Sequence, residues 1–167
     1  MSKNNNDFFA YLDIETTGLS PLHGYVTVIG IHLENNEEER TVQLVGSEIS
    51  PEKLLDAVDG VSILYTYNGT RFDLPFIREN LGVDLSKICL HKDLMFECWN
   101  KNLYGGLKAV EIKLGIMRGM TGIDGRMAVE LWIRYKQYGD RKALETLLEY
   151  NREDVENLKI IRQKLEL

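Results

Sequence analysis

Residues 8–19 read Phe8-Phe-Ala-Tyr-Leu-Asp13-Ile-Glu15-Thr-Thr-Gly-Leu19. The opening apolar, aromatic run has the length and composition of a buried β-strand. Side chains alternate along a strand, so Asp13 and Glu15 are predicted to share one face near the strand's C-terminal end. Two adjacent carboxylates repel, and a divalent cation with oxygen ligands would relieve that repulsion. The alternative is that Glu15 lies in solvent while Asp13 caps the turn.

The bulk composition of the 167 residues predicts one folded domain, large enough to bury about two thirds of its unfolded surface. We expect this domain to span residues 1–167, with residues 1–6 as a flexible polar tail. No signal-peptide core and no apolar run of membrane-spanning length is present, so no membrane association is expected. Cys89 and Cys98 lack the spacing of a zinc site, which favours a cytoplasmic protein.

The charge distribution is uneven along the chain. The formal net charge of −6 argues against tight, sequence-independent binding of nucleic acid. Residues 1–100 carry 7 basic and 16 acidic side chains (net −9), whereas residues 101–167 carry 13 basic and 10 acidic ones (net +3). The second part should therefore supply most contacts to any polyanion. The candidates are Lys108, Lys113, Arg118, Arg126, Arg141, Lys142 and Arg152.

The order of predicted elements is β-β-β-α-β-α-β followed by helices. Strands are predicted at 8–12, 25–33, 40–45, 61–67 and 87–91. Short turns make the first three antiparallel, and the fourth, reached through a helix, is predicted to lie parallel to the first. Helices are predicted at 51–58, 73–80, 94–100, 107–114 and 127–138, with one or two more over 140–165. The fold class is therefore α/β, with a mixed central sheet of about five strands flanked by helices.

A third acidic site is Asp73, which follows the turn that begins at Asn68-Gly. It is predicted to lie at the exit of the fourth strand, as Asp13 lies at the exit of the first. Asp73 also opens a helix, so taken alone it is best read as a helix N-cap.

A fourth acidic site is Asp154, which precedes Leu158 and Ile161 at helical spacing and so lies on the inward-facing stripe. Tyr150, one turn earlier, shares that face. A buried carboxylate needs a partner or a metal. The alternative is a capping role near the start of a helix behind Asn151.

One cleft containing all four acids would explain their placement, provided that cations neutralise them. Oxygen ligands without paired histidine or cysteine favour Mg²⁺ or Mn²⁺ over zinc. Two such ions can activate a water and stabilise the leaving oxygen of a phosphodiester. The Tyr150 hydroxyl could hold that water in line.

The motifs resemble those of a known superfamily. Asp13-x-Glu15, Asn68-Gly-x-x-Phe72-Asp73 and Tyr150-x-x-x-Asp154 look like the three exonuclease motifs of the DEDD superfamily, which has an RNase H-like fold. The tyrosine form is similar to the DEDDy subclass, because Glu149 stands where the DEDDh subclass has histidine. More closely, the segments 67–76 and 150–155 resemble the YprB-type ribonuclease H-like family. The resemblance covers roughly residues 8–165.

The resemblance implies a 3′→5′ exonuclease that releases nucleoside monophosphates. It implies that Asp13, Glu15 and Asp154 ligate one ion, that Asp13 bridges to a second, and that Asp73 binds directly or through water. It also implies that Tyr150 orients the nucleophile. By the same analogy Thr16 and Leu19 would contact the 3′-terminal nucleotide, and Asn68 and Phe72 of the second motif would contribute to substrate binding.

Two alternatives remain open at the level of sequence. The same site could serve a structure-selective endonuclease or an RNA-trimming nuclease, or the fold could be a binding module that has lost catalysis. The expected partner is single-stranded nucleic acid with a free 3′ end. Recruitment of longer substrates would need a partner protein or a homo-oligomer.

Overall fold

The computed structural model describes residues 7–167 and is built around one five-stranded sheet. The strands are β1 (Phe8–Thr16), β2 (Val26–Glu34), β3 (Glu39–Val45), β4 (Val61–Thr66) and β5 (Leu90–Asp93). Their order is β3-β2-β1-β4-β5, with β3, β2 and β1 antiparallel and β1, β4 and β5 parallel. The predicted mixed sheet is therefore confirmed. The predicted tail, residues 1–6, lies outside the described residues.

Helices cover both faces of this sheet. They are α1 (Pro51–Ala57), α2 (Asp73–Leu81), α3 (Leu94–Asn100), α4 (Leu107–Lys113), α5 (Gly125–Tyr138) and α6 (Arg141–Lys164). Ser50 and Asp93 are N-caps, and their side chains accept hydrogen bonds from the first turns of α1 and α3. No helix in residues 7–167 combines the length and apolar character needed to cross a bilayer.

The two faces of β1 meet different helices, because alternate side chains point to opposite sides. Leu12 and Ile14 pack with α1 and α2 in one buried cluster. Tyr11 packs on the other side with α3, α4 and the C-terminal half of α6. Asp13 and Glu15 continue the Tyr11 face, so the strand carries its two acids under α6.

Three details of the fold differ from the sequence predictions. β1 runs on to Thr16, so the acids lie inside the strand rather than beyond its end. The last strand begins at Leu90 instead of residue 87, because residues 85–87 form a 3₁₀ turn. Helix α6 is continuous from Arg141 to Lys164, so Asp154 lies in its interior and the alternative of a capping role for Asp154 near a helix start is wrong.

Candidate active site

Helix α6 brings Asp154 to the acids of β1. It packs across β1 and β2, and Asp154 is 5% exposed. Carboxylate oxygens of Asp13, Glu15 and Asp154 all lie within 4.8 Å of one another. Glu15 and Asp154 are buried and Asp13 is half-buried. Carboxylate oxygens this close form a donor set that suits a hard divalent cation. These three residues therefore fit the predicted metal centre.

Asp73 is held beside the cluster by a hydrogen bond from the backbone of β1. The parallel pairing of β1 with β4 ends at Tyr11, so the backbone of β1 beyond that point has no β4 partner. The N–H of Ile14 instead donates to Asp73 Oδ1 at 3.1 Å. Asp73 lies in the first turn of α2 and is 3% exposed; the N-cap is Phe72, so the capping role considered for Asp73 is wrong.

The electrostatics of the four acids reflect crowding. Burial, then repulsion from Asp154, Asp73 and Glu15, raises the pKa of Asp13 well above its usual range. Burial and repulsion from Asp154 and Asp73 raise the pKa of Glu15 in the same way. Burial is also the main cause that raises the pKa of Asp73 to about 7 and that of Asp154 to about 6. Bound cations would remove this cost.

Tyr150 lies one helical turn before Asp154 and is 6% exposed. Burial, followed by the charges of Asp154, Glu15 and Asp13, raises the pKa of its hydroxyl. The ammonium of Lys108 lies 4.7 Å from the centre of its ring. Tyr150 is thus a neutral phenol at the wall of the acidic cluster.

Two adjoining cavities, of about 360 and 370 Å³, open over the acids. They share Asp13, Gly125, Tyr150 and Asp154 as lining residues. One extends toward the turn after β1 and the other toward the start of α4. Volumes of this size are in the range of small-ligand sites.

The predicted substrate residues fall into two groups. Thr16, Leu19 and Phe72 line the first cavity, and the Leu19 side chain is 92% exposed at its edge. Asn68 lines neither cavity in residues 7–167. It adopts a positive φ of 61°, and its N–H donates to Asp93 Oδ1 at 2.8 Å. Its position fits a turn residue that shapes the loop before Phe72.

The basic residues predicted to line the approach also divide. Lys108 and Arg126 line the two cavities. Lys113 donates to the carbonyl oxygen of Tyr104 at 2.6 Å. The remaining surface candidates are exposed and line neither cavity within the described chain: Arg141, Lys142 and Arg152.

Arg118 was predicted to line the approach, but it lines neither of these two cavities within the described chain, and its side chain is 10% exposed. It donates to both carboxylate oxygens of Glu111 at 2.8 Å and to Asp154 Oδ1 at 2.5 Å. Its Nε lies 3.4 Å from Glu153 Oε2. Glu111, completely buried, also accepts from Asn157 at 2.9 Å. The long Arg118 side chain therefore neutralises carboxylates inside the protein instead of extending into solvent.

Sequence reasoning did not assign a role to Asn151, which contacts Asp13 from α6. A signal for it was present at Gly30, a glycine inside a strand rich in β-branched residues. Glycine at such a position marks a close approach by another group. Here that group is the Asn151 side chain.

Comparison with known proteins agrees with the observed geometry. A family B DNA polymerase from Pyrobaculum calidifontis superposes with a TM-score of 0.72 at 18% identity; the match covers 96% of this chain and 24% of the polymerase. NrnC from Brucella melitensis bound to pGG gives 0.60 at 17% identity, covering 98% and 76%, and its Mg²⁺-bound form gives 0.51 at 16%, covering 98% and 86%. An E. coli ExoI–ssDNA complex gives 0.51 at 14%, covering 87% and 42%.

These likenesses establish a shared fold, with nucleases among the proteins that have it. The chain corresponds to about a quarter of the polymerase's length. No curated protein matches the sequence. A sequence-family model of the RNase H superfamily, however, matches residues 10–166, which is nearly the whole chain. The RNase H-like fold is thereby confirmed, and the chain belongs to the RNase H superfamily.

Proposed function

We propose that this protein is a 3′→5′ exonuclease of the DEDDy type, closest to the YprB-type family, acting on single-stranded DNA or RNA. The observation that carries the proposal is the convergence of Asp13, Glu15 and Asp154 within 4.8 Å, with Tyr150 on the same wall. Asp73 lies outside that group of three and lines neither cavity, but it accepts from the backbone N–H of Ile14 and would complete the set from the β4 side of β1.

The four carboxylates would hold two divalent cations, Mg²⁺ or Mn²⁺. When bound, such ions would activate a water nucleophile and stabilise the departing 3′ oxygen of a phosphodiester. The raised pKa values support this assignment, because acids that resist ionisation together gain most from added positive charge. NrnC with bound Mg²⁺ is consistent with this choice of metal.

The protein's own side chains would then orient the reactants. A neutral Tyr150 can donate a hydrogen bond to the attacking water but cannot act as a base. Thr16, Leu19 and Phe72 would hold the terminal nucleotide over the acids, with Lys108 and Arg126 attracting its phosphates. Asn68 would act indirectly, through the loop that carries Phe72.

The proposed substrate class is a short single strand with a free 3′ end. The overall negative charge offers little to hold a long duplex. The neighbours' ligands, pGG on NrnC and ssDNA on ExoI, are of the same kind. Hydrolysis would release nucleoside 5′-monophosphates. Action in the cytoplasm, with a partner or a second copy to recruit longer strands, belongs to the same proposal.

The test uses 5′-labelled single strands of DNA and RNA, short and long, with Mg²⁺, Mn²⁺ or EDTA. We expect a ladder that shortens one nucleotide at a time from the 3′ end and that vanishes in EDTA. Asp13→Asn should lower the rate by several orders of magnitude, because a metal ligand is lost. The matched control is Asp59→Asn at an exposed turn, which should keep the wild-type rate.

Other results would reject the proposal in distinct ways. Discrete internal cuts would indicate an endonuclease or a trimming enzyme on the same site. Binding of the strands with neither metal supporting cleavage would indicate a binding module. Turnover in EDTA would exclude the metal mechanism.

A further inference from the structure

The side-chain amide of Asn151 is completely buried between α6 and the centre of the sheet. It is neighbour in sequence to Tyr150 but points to the strand rather than to the cavity. Its Nδ2 donates both to the backbone oxygen of Asp13 and to the carboxylate oxygen Asp13 Oδ2, each at 3.2 Å. One side chain thus ties the helix that carries Asp154 to both the backbone and the carboxylate of Asp13.

The orientation of that amide is fixed from its other end. Asn151 Oδ1 accepts from Gln43 Nε2 at 3.0 Å, and the same Nε2 donates to the carbonyl oxygen of Leu148 at 2.8 Å. The carbonyl oxygen of Leu148 can only accept, so Gln43 must direct its Nε2 there, and the same Nε2 then meets the oxygen of Asn151. The Nδ2 group of Asn151 is thereby directed at Asp13. Gln43 on β3, two strands away from β1, therefore sets the direction of the bonds.

A glycine in the sheet leaves space for this side chain. Gly30 on β2 is the register partner of Asp13 on β1. A Cβ atom at residue 30 would lie 2.1 Å from Asn151 Oδ1 and 2.9 Å from its Cγ. Glycine is unfavourable inside a strand, so its presence at this point requires a reason of close packing. The reason is room for the Asn151 amide beside Asp13.

The chemistry of the amide suits a ligand carboxylate. It supplies a hydrogen bond to one oxygen without adding charge to a site that already contains four acids. An aspartate of the same shape would add a fifth. Carboxylates that bind metal are commonly oriented by such outer hydrogen bonds.

We propose that Asn151 is a positioning residue that fixes the Asp13 carboxylate for metal binding, with Gly30 and Gln43 as its supports. The inference rests on the proposed function, since Asp13 must be a ligand for its orientation to matter. A purely structural strut between α6 and the sheet is the competing explanation, and it makes different predictions.

The experiment measures Mn²⁺ affinity by titration calorimetry and thermal unfolding in EDTA for three variants. Asn151→Ala should weaken Mn²⁺ binding by about 10- to 100-fold. The double variant Gly30→Ala/Asn151→Ala places a methyl group in part of the vacated space, so it should recover stability while its Mn²⁺ affinity stays weak. Ser62→Ala removes a different hydrogen bond to the β1 backbone, at Phe8, and should leave Mn²⁺ affinity unchanged.

Each outcome has one meaning. Weak Mn²⁺ binding in both Asn151 variants, with a stable double variant, supports the inference. Recovery of Mn²⁺ affinity together with stability in the double variant would show a structural strut and overturn it. A wild-type protein that binds Mn²⁺ and an Asn151→Ala variant that binds it equally well would overturn the inference alone. A wild-type protein that binds no Mn²⁺ would overturn the proposed function and this inference with it.

Discussion

Tyr150 shows how the surroundings of one side chain restrict its chemistry. Its hydroxyl is buried among acids, and both effects raise its pKa, so the phenol keeps its proton at neutral pH. The Lys108 ammonium and the Arg118 guanidinium lie 4.7 and 5.6 Å from the centre of the ring, and Arg118 opposes the rise in pKa only in part. Such a group can orient a water molecule through a hydrogen bond, whereas deprotonation of that water must be driven by other means.

Tyr150→Phe should therefore lower kcat by about 10²-fold, the scale of a lost orienting contact, while Mn²⁺ affinity stays at the wild-type value. The ring and its packing survive in this variant. The matched control is Tyr138→Phe, since Tyr138 is 78% exposed at the end of α5. Initial rates measure kcat, and titration calorimetry measures the Mn²⁺ affinity. An unchanged kcat would reassign Tyr150 to packing.

At the level of single residues, the sequence was enough to predict that Asp13, Glu15, Asp154 and Tyr150 come together, as the structure shows. Strand alternation placed Asp13 and Glu15 on one face, and helical spacing placed Asp154 and Tyr150 on another. The contact of Asn151 with Asp13 and the ion pairs of Arg118 were not predicted, because neither residue belongs to a local pattern. Their partners lie on other elements, and only the packing of α6 on the sheet shows which donor meets which carboxylate.

At the level of the elements, hydrogen bonds and ion pairs hold the segment between α4 and α5 against α6. Glu153 accepts from the backbone N–H groups of Gly119 and Met120, at 2.5 and 3.1 Å. Arg118 from the same segment inserts between Glu111 and Asp154. This stretch contains Gly115, Gly119 and Gly122 and no apolar periodicity that would predict how it packs. Its anchoring depends on side chains from α4 and α6, which a local pattern cannot show.

Arg118→Met should lower the free energy of unfolding by about 3–5 kcal/mol, because Glu111 and Asp154 would remain buried without their cation. Chemical denaturation in EDTA at pH 8 measures this value. Arg152→Met is the matched control on the exposed side of α6 and should change stability by less than about 0.5 kcal/mol. Equal stability of the two variants would mean that the Arg118 ion pairs contribute nothing net.

The boundaries of elements were predicted well where a cap or turn residue is local, as at Ser50 and Asp93. They were missed where the tertiary structure decides. Asp73 was expected at the exit of β4, yet β4 ends at Thr66 and a loop intervenes. That loop is held by hydrogen bonds from its backbone to Asp93 on the next strand, a contact that no spacing in the sequence reveals.

For the molecule as a whole, the central strand β1 concentrates negative charge in the middle of the sheet. β1 lies between β2 and β4, and α6 covers its acidic face. The sequence predicted this mixed sheet because turn lengths and a helical crossover constrain strand direction. The energetic consequence is that folding without cations must bury charges that repel each other.

The stability of the metal-free protein should consequently fall as the pH rises from about 4 to 7. Asp73 and Asp154 have pKa values of about 7 and 6 when folded, against 3.8 for an ordinary aspartate. The folded state thus binds more protons than the unfolded state in this window, so raising the pH removes stability. Burial lowers the pKa of His91, which contributes with the opposite sign. Asp13→Asn removes one of the repelling carboxylates, so the fall in stability between pH 4 and 7 should be smaller in this variant.

Thermal unfolding in EDTA across this range, for wild type and Asp13→Asn, measures the difference. Mg²⁺ or Mn²⁺ at about 100 times its dissociation constant should restore about 2.7 kcal/mol per site at pH 8 in the wild type. KCl at equal ionic strength is the control for screening. Identical pH profiles for the two proteins would refute strong repulsion within the acidic cluster.

The bonds from Asn151 to Asp13 join residues 138 positions apart. Ribosomes deliver the N-terminal strand first, so β1 emerges with its acids long before α6 is made. Until α6 docks, Asp13 and Glu15 lack Asp154, Tyr150 and the Asn151 amide. Under the proposed function, a nascent chain that ends before α6 would carry only part of the metal site. The proposed activity would then begin only after α6 has been made and has docked on β1.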